Sequence, residues 1–230
     1  MVPIGGIQKL SLVDYPGKTS AAFFTIGCNM RCGYCHNAEL VLPERYAEAL
    51  DEAYIWKFLE QRRGLLDGIV VSGGEPTMHD ALPEFIGRLK QLGYLVKLDS
   101  NGTRPDMLEQ LIGDGLIDYI AMDIKAPLAK YSEVAARPID IAAIQRSIDL
   151  IQSSGLEHEF RTTVVKYQLS PCDIESIGQL IAGSPRFALQ KFVAGKTLSP
   201  RFRRLTTYTD EEFEILREVM LRYVDTCVVH

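Results

Sequence analysis

Six short runs rich in apolar, β-branched or aromatic residues recur along the chain, at 20–26 (SAAFFTI), 67–72 (DGIVVS), 94–99 (YLVKLD), 116–123 (LIDYIAMD), 158–165 (HEFRTTVV) and 187–193 (FALQKFV). Each reads as a mostly buried strand. Helical periodicity fills the intervals at 47–63, 81–92, 105–114, 140–154 and 173–183, and such alternation predicts parallel βαβ units. A last helix is expected over about 210–225, with Thr209 and Glu212 spaced as a capping box, and Gly64, Gly93 and Gly155 mark helix exits. Six units are fewer than the eight of a closed (β/α) barrel. The expected fold class is therefore α/β, with a parallel sheet and outer helices arranged as a partial (β/α)6 barrel or a flat doubly wound sheet. In either, ligands gather beyond the carboxyl ends of the strands. At 230 residues and 47% hydrophobic composition, one domain over 1–230 is expected, with no linker-like stretch to divide it.

The chain carries 25 basic and 30 acidic residues, a formal net charge of −5, and no long basic run. It has no electrostatic footprint for nucleic acid or an anionic membrane, so a protein or small-molecule partner is expected. No segment approaches the roughly 18 apolar residues of a membrane span, and MVPIGGIQKLSLVDYPGK lacks the pattern of an export signal. The expected location is the cytoplasm. The most loop-like and basic segment, AGKTLSPRFRRLT at roughly 194–207, reads as a solvated loop, and nothing after about residue 195 forms an interpretable motif.

Five cysteines in a reducing compartment argue for metal or redox chemistry rather than a disulfide framework. Cys172 and Cys227 stand alone and read as plain thiols. Cys28, Cys32 and Cys35 fall within IGCNMRCGYCHN, residues 26–37, directly after the first apolar run. Cys32 and Cys35 alone fit a thioredoxin-like dithiol, and with His36 they fit the haem-attachment pattern, but both readings leave Cys28 unexplained. Zinc could take all three cysteines and His36, although adjacent side chains do not easily converge on one tetrahedral centre. Three thiolates spaced C-x3-C-x2-C can instead hold three irons of a 4Fe-4S cluster and leave one iron open to a substrate.

Further polar groups follow the later runs. Ser72-Gly73-Gly74-Glu75-Pro76-Thr77 follows the second run, Asp99-Ser100-Asn101-Gly102-Thr103 the third, and Met122-Asp123-Ile124-Lys125 the fourth; Arg161 lies on the fifth strand. Singly, these read as a tight strand exit, a turn, a surface ion pair and a half-buried salt-bridge partner. His36, His79, His158 and His230 receive no catalytic role.

The cysteine spacing, with Tyr34 at its aromatic position, resembles the signature of the radical S-adenosylmethionine superfamily. IGGIQKLSLVDYPGK and the CHN after the cysteines look most like activating proteins of anaerobic ribonucleoside-triphosphate reductase, a glycyl radical enzyme. The resemblance implies the partial (β/α)6 barrel rather than the flat sheet, with a 4Fe-4S cluster on Cys28, Cys32 and Cys35. It implies S-adenosylmethionine held by Tyr34, Gly73, Gly74, Glu75, Ser100, Asp123 and Arg161, with Lys125 at the radical end as the catalytic residue. A monovalent cation near Asp99, Ser100 and Asp123 is implied likewise. The implied reaction reductively cleaves S-adenosylmethionine to a 5′-deoxyadenosyl radical, which takes hydrogen from a glycine of anaerobic ribonucleotide reductase or a relative. A flavodoxin- or ferredoxin-type protein would supply the electron. Two other readings stand beside this one: a radical S-adenosylmethionine enzyme acting on a small molecule, and a non-catalytic zinc-binding module.

Overall fold

A computed structural model describes residues 1–230. Strands and helices alternate as β1 (Ile4–Ser11), β2 (Ser20–Thr25), α1 (Ala38–Val41), α2 (Glu52–Arg62), β3 (Gly68–Gly73), α3 (Leu82–Gln91), β4 (Leu95–Ser100), α4 (Pro105–Gly113), β5 (Tyr119–Asp123), α5 (Tyr131–Ala135), α6 (Ile141–Ser153), β6 (Glu157–Val164), α7 (Pro171–Leu180), β7 (Arg186–Lys191), α8 (Asp210–Met220) and β8 (Thr226–Val229). The strands follow chain order in the sheet, from β1 to β8. The α/β class expected from the alternation is the class found, and no helix is long and apolar enough to cross a membrane.

The six expected strands are β2 to β7, but the sheet has eight. The reasons are local. β1 is glycine-rich and polar (IGGIQKLS), pairs antiparallel with β2, and is an edge strand without a continuous apolar run. β8 has only four residues and pairs parallel with β7. α2 begins five residues later than its periodicity suggests, because Asp51 caps it by accepting from the Tyr54 N–H at 2.9 Å. Just before that cap, the Leu50 N–H donates to the Ile4 carbonyl of β1 at 2.8 Å.

The chain forms two compact units. The first comprises Met1–Asn29, Asn37–Ser100 and Arg104–Ile120, and so holds β1 to β4, α1 to α4 and the start of β5. β2, β3 and β4 pair in parallel, with Phe23 opposite Val71 and Val71 opposite Leu98. Phe23 is fully buried between the rings of Phe58 on α2 and Phe85 on α3, 6.1 and 6.4 Å away. The second unit comprises Met30–His36, Asn101–Thr103 and Ala121–His230. Here β6, β7 and β8 pair in parallel over a core that includes Phe160, Phe187, Ile174, Ile177 and Phe213. Both capping boxes are complete: Thr209 with Glu212 opens α8 as expected, and Ser170 with Asp173 opens α7 two residues before its expected start.

Phe23→Ala should remove the packing between the sheet and both helices and cost about 3–5 kcal/mol of unfolding free energy. Urea denaturation measures this directly, and a loss below about 1 kcal/mol would contradict the packing described.

Candidate functional site

In the first unit β2 ends at Thr25, and the chain passes through Ile26 and Gly27 to Cys28. The end of β3 folds back onto this exit. The Gly74 N–H donates to the Thr25 carbonyl at 2.9 Å and the Glu75 N–H to the Gly27 carbonyl at 2.7 Å. A Cβ on Gly73, whose φ is +118°, would lie 2.2 Å from the Thr25 nitrogen; one on Gly74 would lie 1.9 Å from the Gly27 oxygen. Neither position admits a side chain, and the cause is the chain's own backbone.

Glu75 follows and is only 1% exposed. Its Oε1 accepts from the Ser100 hydroxyl at 2.9 Å, from the Thr77 N–H at 3.1 Å and from the Thr77 hydroxyl. These donors offset the burial of the carboxylate and fix its orientation. Asp99 is met by a group the sequence did not single out. Lys97 Nζ lies 3.0 Å from Asp99 Oδ1, donates to the Asp14 carbonyl at 2.7 Å and sits 5.7 Å from the centre of the Tyr119 ring. Lys97 and Asp99 are two residues apart on one strand and share a face, with side chains 2% and 14% exposed.

In the second unit Cys32 and Tyr34 are buried and Cys35 is partly exposed; the Cys35 N–H closes a turn on the Cys32 carbonyl at 3.0 Å. Burial raises the Cys32 thiol above its ordinary range, against the pull of the Lys125 ammonium. Burial likewise raises the Tyr34 hydroxyl. Asp123 is gripped on both oxygens, Oδ1 by Arg161 Nε at 2.9 Å and Oδ2 by Lys125 Nζ at 3.0 Å. Burial alone would raise this carboxyl, but Arg161 and then Lys125 outweigh it and bring it down to about 2. Burial would by itself lower Lys125, yet the Asp123 carboxylate holds it protonated well above its ordinary range. The Tyr131 hydroxyl donates to the Asp123 carbonyl at 3.2 Å, and the Ile124 N–H to the Arg161 carbonyl at 2.8 Å. The Asn-Gly segment is an Asx turn, in which Asn101 Oδ1 accepts from the Thr103 N–H and hydroxyl while Ser147 donates to the Gly102 carbonyl at 2.7 Å.

The structure thus joins Ser100 to Glu75, and Asp123 to Lys125 and Arg161. Cys28 belongs to the first unit, and Cys32 and Cys35 to the second. None of the three is in a disulfide, and no group of three or more His, Cys, Asp or Glu side chains is gathered around one point for a metal ion.

The family model of the Radical SAM superfamily matches residues 23–181, from within β2 to the end of α7. The chain belongs to the radical SAM superfamily. It is a radical SAM enzyme, and its relatives sharpen the likeness. A Methanocaldococcus jannaschii protein named as a glycyl-radical enzyme activating enzyme is 35% identical over 232 residues, which cover 98% of this chain and 95% of that protein. The pyruvate formate-lyase-activating enzyme of Listeria monocytogenes is 36% identical over 135 residues, or 53% of this chain and 52% of that one. Among solved structures, Streptococcus suis SuiB bound to S-adenosylmethionine superposes with a TM-score of 0.68 at 14% identity, over 89% of this chain and 48% of SuiB. That last likeness is one of fold, and the chain spans about half of SuiB.

The superfamily implies a 4Fe-4S cluster and S-adenosylmethionine, and the donors present suit both. The cysteines form no disulfide, and the buried Cys32 thiol resists ionising until a metal supplies the compensating charge. Glu75 offers a buried, already oriented carboxylate to an ammonium group.

Lys97→Met should leave the Asp99 carboxylate without its ion pair and cost about 3–5 kcal/mol, most of it recovered in Lys97→Met with Asp99→Asn. Denaturant unfolding of the four proteins of this cycle measures the coupling. Additive losses would show that Lys97 and Asp99 do not act as a pair.

Proposed function

We propose that the chain is the activating enzyme of a glycyl radical enzyme, with anaerobic ribonucleotide reductase or a relative as partner. The observation that carries this reading is the end-to-end, 35% identical likeness to a protein named as such an activating enzyme. In this reading residues 1–230 act as a single radical SAM domain in the cytoplasm. Cys28, Cys32 and Cys35 ligate the cluster through thiolates. Gly73 and Gly74 bring the backbone, and Glu75 its carboxylate, to the ammonium of S-adenosylmethionine, while Ser100 and Thr77 keep that carboxylate aimed. Tyr34 walls the cysteine loop and excludes water from it.

When bound, the reduced cluster and S-adenosylmethionine supply a 5′-deoxyadenosyl radical as the hydrogen-abstracting species. Lys125 stays protonated beside Asp123 and so serves as a fixed positive charge rather than a base. Arg161 adds a second such charge on the other oxygen of Asp123, and together they suit an anionic group of the cofactor. A monovalent cation at Asp99, Ser100 and Asp123 belongs to the same proposal. It would be an addition to the positive charge already beside these carboxylates, from Lys97 and from Lys125 with Arg161. The hydrogen comes from the α-carbon of a glycine on the partner, and a flavodoxin- or ferredoxin-type protein provides the electron.

Anaerobic incubation of the reduced enzyme and S-adenosylmethionine with each glycyl radical enzyme of the same organism tests the reading. Electron paramagnetic resonance should show a glycine-centred doublet on one of them, with deuterium from α-deuterated glycine recovered in 5′-deoxyadenosine. No doublet on any, while a metabolite drives cofactor cleavage, would replace this reading with the small-molecule one. A colourless protein with stoichiometric zinc would replace both.

A further inference from the structure

Val193 to Thr207 carries four basic residues and no acidic one, in a chain whose net charge is −5. Within the second unit this segment is strapped to the cysteine loop. The Leu198 N–H donates to the Cys35 carbonyl at 2.8 Å and the Ser199 N–H to the Gly33 carbonyl at 3.0 Å. A short 3-10 helix, Pro200–Arg204, follows and turns Phe202 onto the loop; a Cβ on Gly33 would lie 2.3 Å from the Phe202 ring. That ring stands edge-on to Tyr34 at 6.2 Å and to Phe192 at 6.3 Å. Phe192 in turn stacks on His36 at 6.0 Å, and His36 Nε2 lies 2.8 Å from the Val193 carbonyl oxygen. The strap therefore grips residues 33 to 36 from both of its ends.

The rest of the strap surface is basic. Arg201, Arg203 and Arg204 are exposed and form no ion pair, and Lys196 is exposed as well. Side chains three apart align along a 3-10 helix, so Arg201 and Arg204 lie on one side. Holding the loop requires none of these arginines: backbone N–H groups and Phe202 make those contacts. Three like charges within four positions repel one another, and that cost is offset when an acidic surface meets them.

We propose that this strap is the docking surface for a small, acidic one-electron carrier protein. The inference rests on the radical SAM activase reading above and identifies where its electron enters. One electron leaves the carrier and one enters the cluster, with no bond made or broken and no proton moved. Two observations select a carrier over another acidic partner. The strap bonds to the stretch that bears Cys35, and electron transfer weakens steeply with distance, so a carrier gains most from a surface fixed to a ligand-bearing loop. The patch is also confined to about a dozen residues of an acidic chain, too few charges for a nucleic-acid track.

The test follows absorbance bleaching of the reconstituted protein mixed with a reduced acidic flavodoxin, in parallel with photoreduced 5-deazariboflavin as a small reductant that needs no dock. The triple variant R201E/R203E/R204E should lower the flavodoxin rate about tenfold or more at low salt. The triple lysine variant should keep most of it, and the wild-type rate should fall as salt rises. All proteins should carry equal iron and respond equally to the deazaflavin. A glutamate variant reduced by flavodoxin at the wild-type rate overturns the proposal. So does a variant with a normal flavodoxin rate but poor transfer to a glycyl radical enzyme, which would assign the strap to that enzyme instead. If the wild-type chain takes up no iron, the activase reading itself fails, while calorimetric titration of flavodoxin into the metal-free proteins still reports on the surface: equal affinity for wild type and glutamate variant overturns it.

Discussion

The exits of β2 and β3 meet with no room for a side chain between them. Gly73 and Gly74 lie so close to Thr25 and Gly27 that two backbone hydrogen bonds, from the Gly74 and Glu75 N–H groups, can form where any Cβ would collide. Much of the first unit's polar chemistry follows from that approach. It places Glu75 next to Gly27, the residue before Cys28, and buries its carboxylate where Ser100 from the end of β4 and Thr77 can bond it. Three consecutive strand exits are thereby tied into one hydrogen-bonded cluster, in keeping with the rule that parallel sheets gather their function at the carboxyl ends of strands.

Charge is managed inside each unit by the same device. A carboxylate at a strand exit is given a basic partner from its own neighbourhood: Lys97 for Asp99 in the first unit, Lys125 and Arg161 for Asp123 in the second. Burial by itself disfavours the charged form of Asp123, and Arg161 with Lys125 outweigh that cost and keep this exit charged. An enzyme that handles a cofactor with an ammonium, a carboxylate and a sulfonium group needs fixed charges of both signs, and the two units hold them already compensated.

The strands whose signal was a continuous apolar run, β2 to β7, were legible in the sequence, because a strand buried on both faces shows its composition directly. β1 and β8 were not: the first is a polar, glycine-bearing edge, and the second is four residues long. The glycine pair and Glu75 stood out by spacing, although the geometry assigns the glycines' lack of side chains to a backbone approach that no composition reveals. Lys97 was visible only as a lysine inside an apolar run, two positions before an aspartate. The strap was legible as a basic stretch and read as a solvated loop; its grip on the cysteine loop was not legible, because it uses backbone N–H groups of Leu198 and Ser199, which any sequence supplies, and an aromatic ring whose partner, Gly33, is more than 160 residues away.

The claim on which everything functional depends is that three thiolates leave one iron of a 4Fe-4S cluster open to S-adenosylmethionine. Mössbauer spectroscopy of protein reconstituted with iron-57 reads this directly. One iron in about four should differ from the rest, and its isomer shift should move when S-adenosylmethionine is added while the others hold still. A spectrum in which every iron is alike and unchanged by S-adenosylmethionine would contradict it.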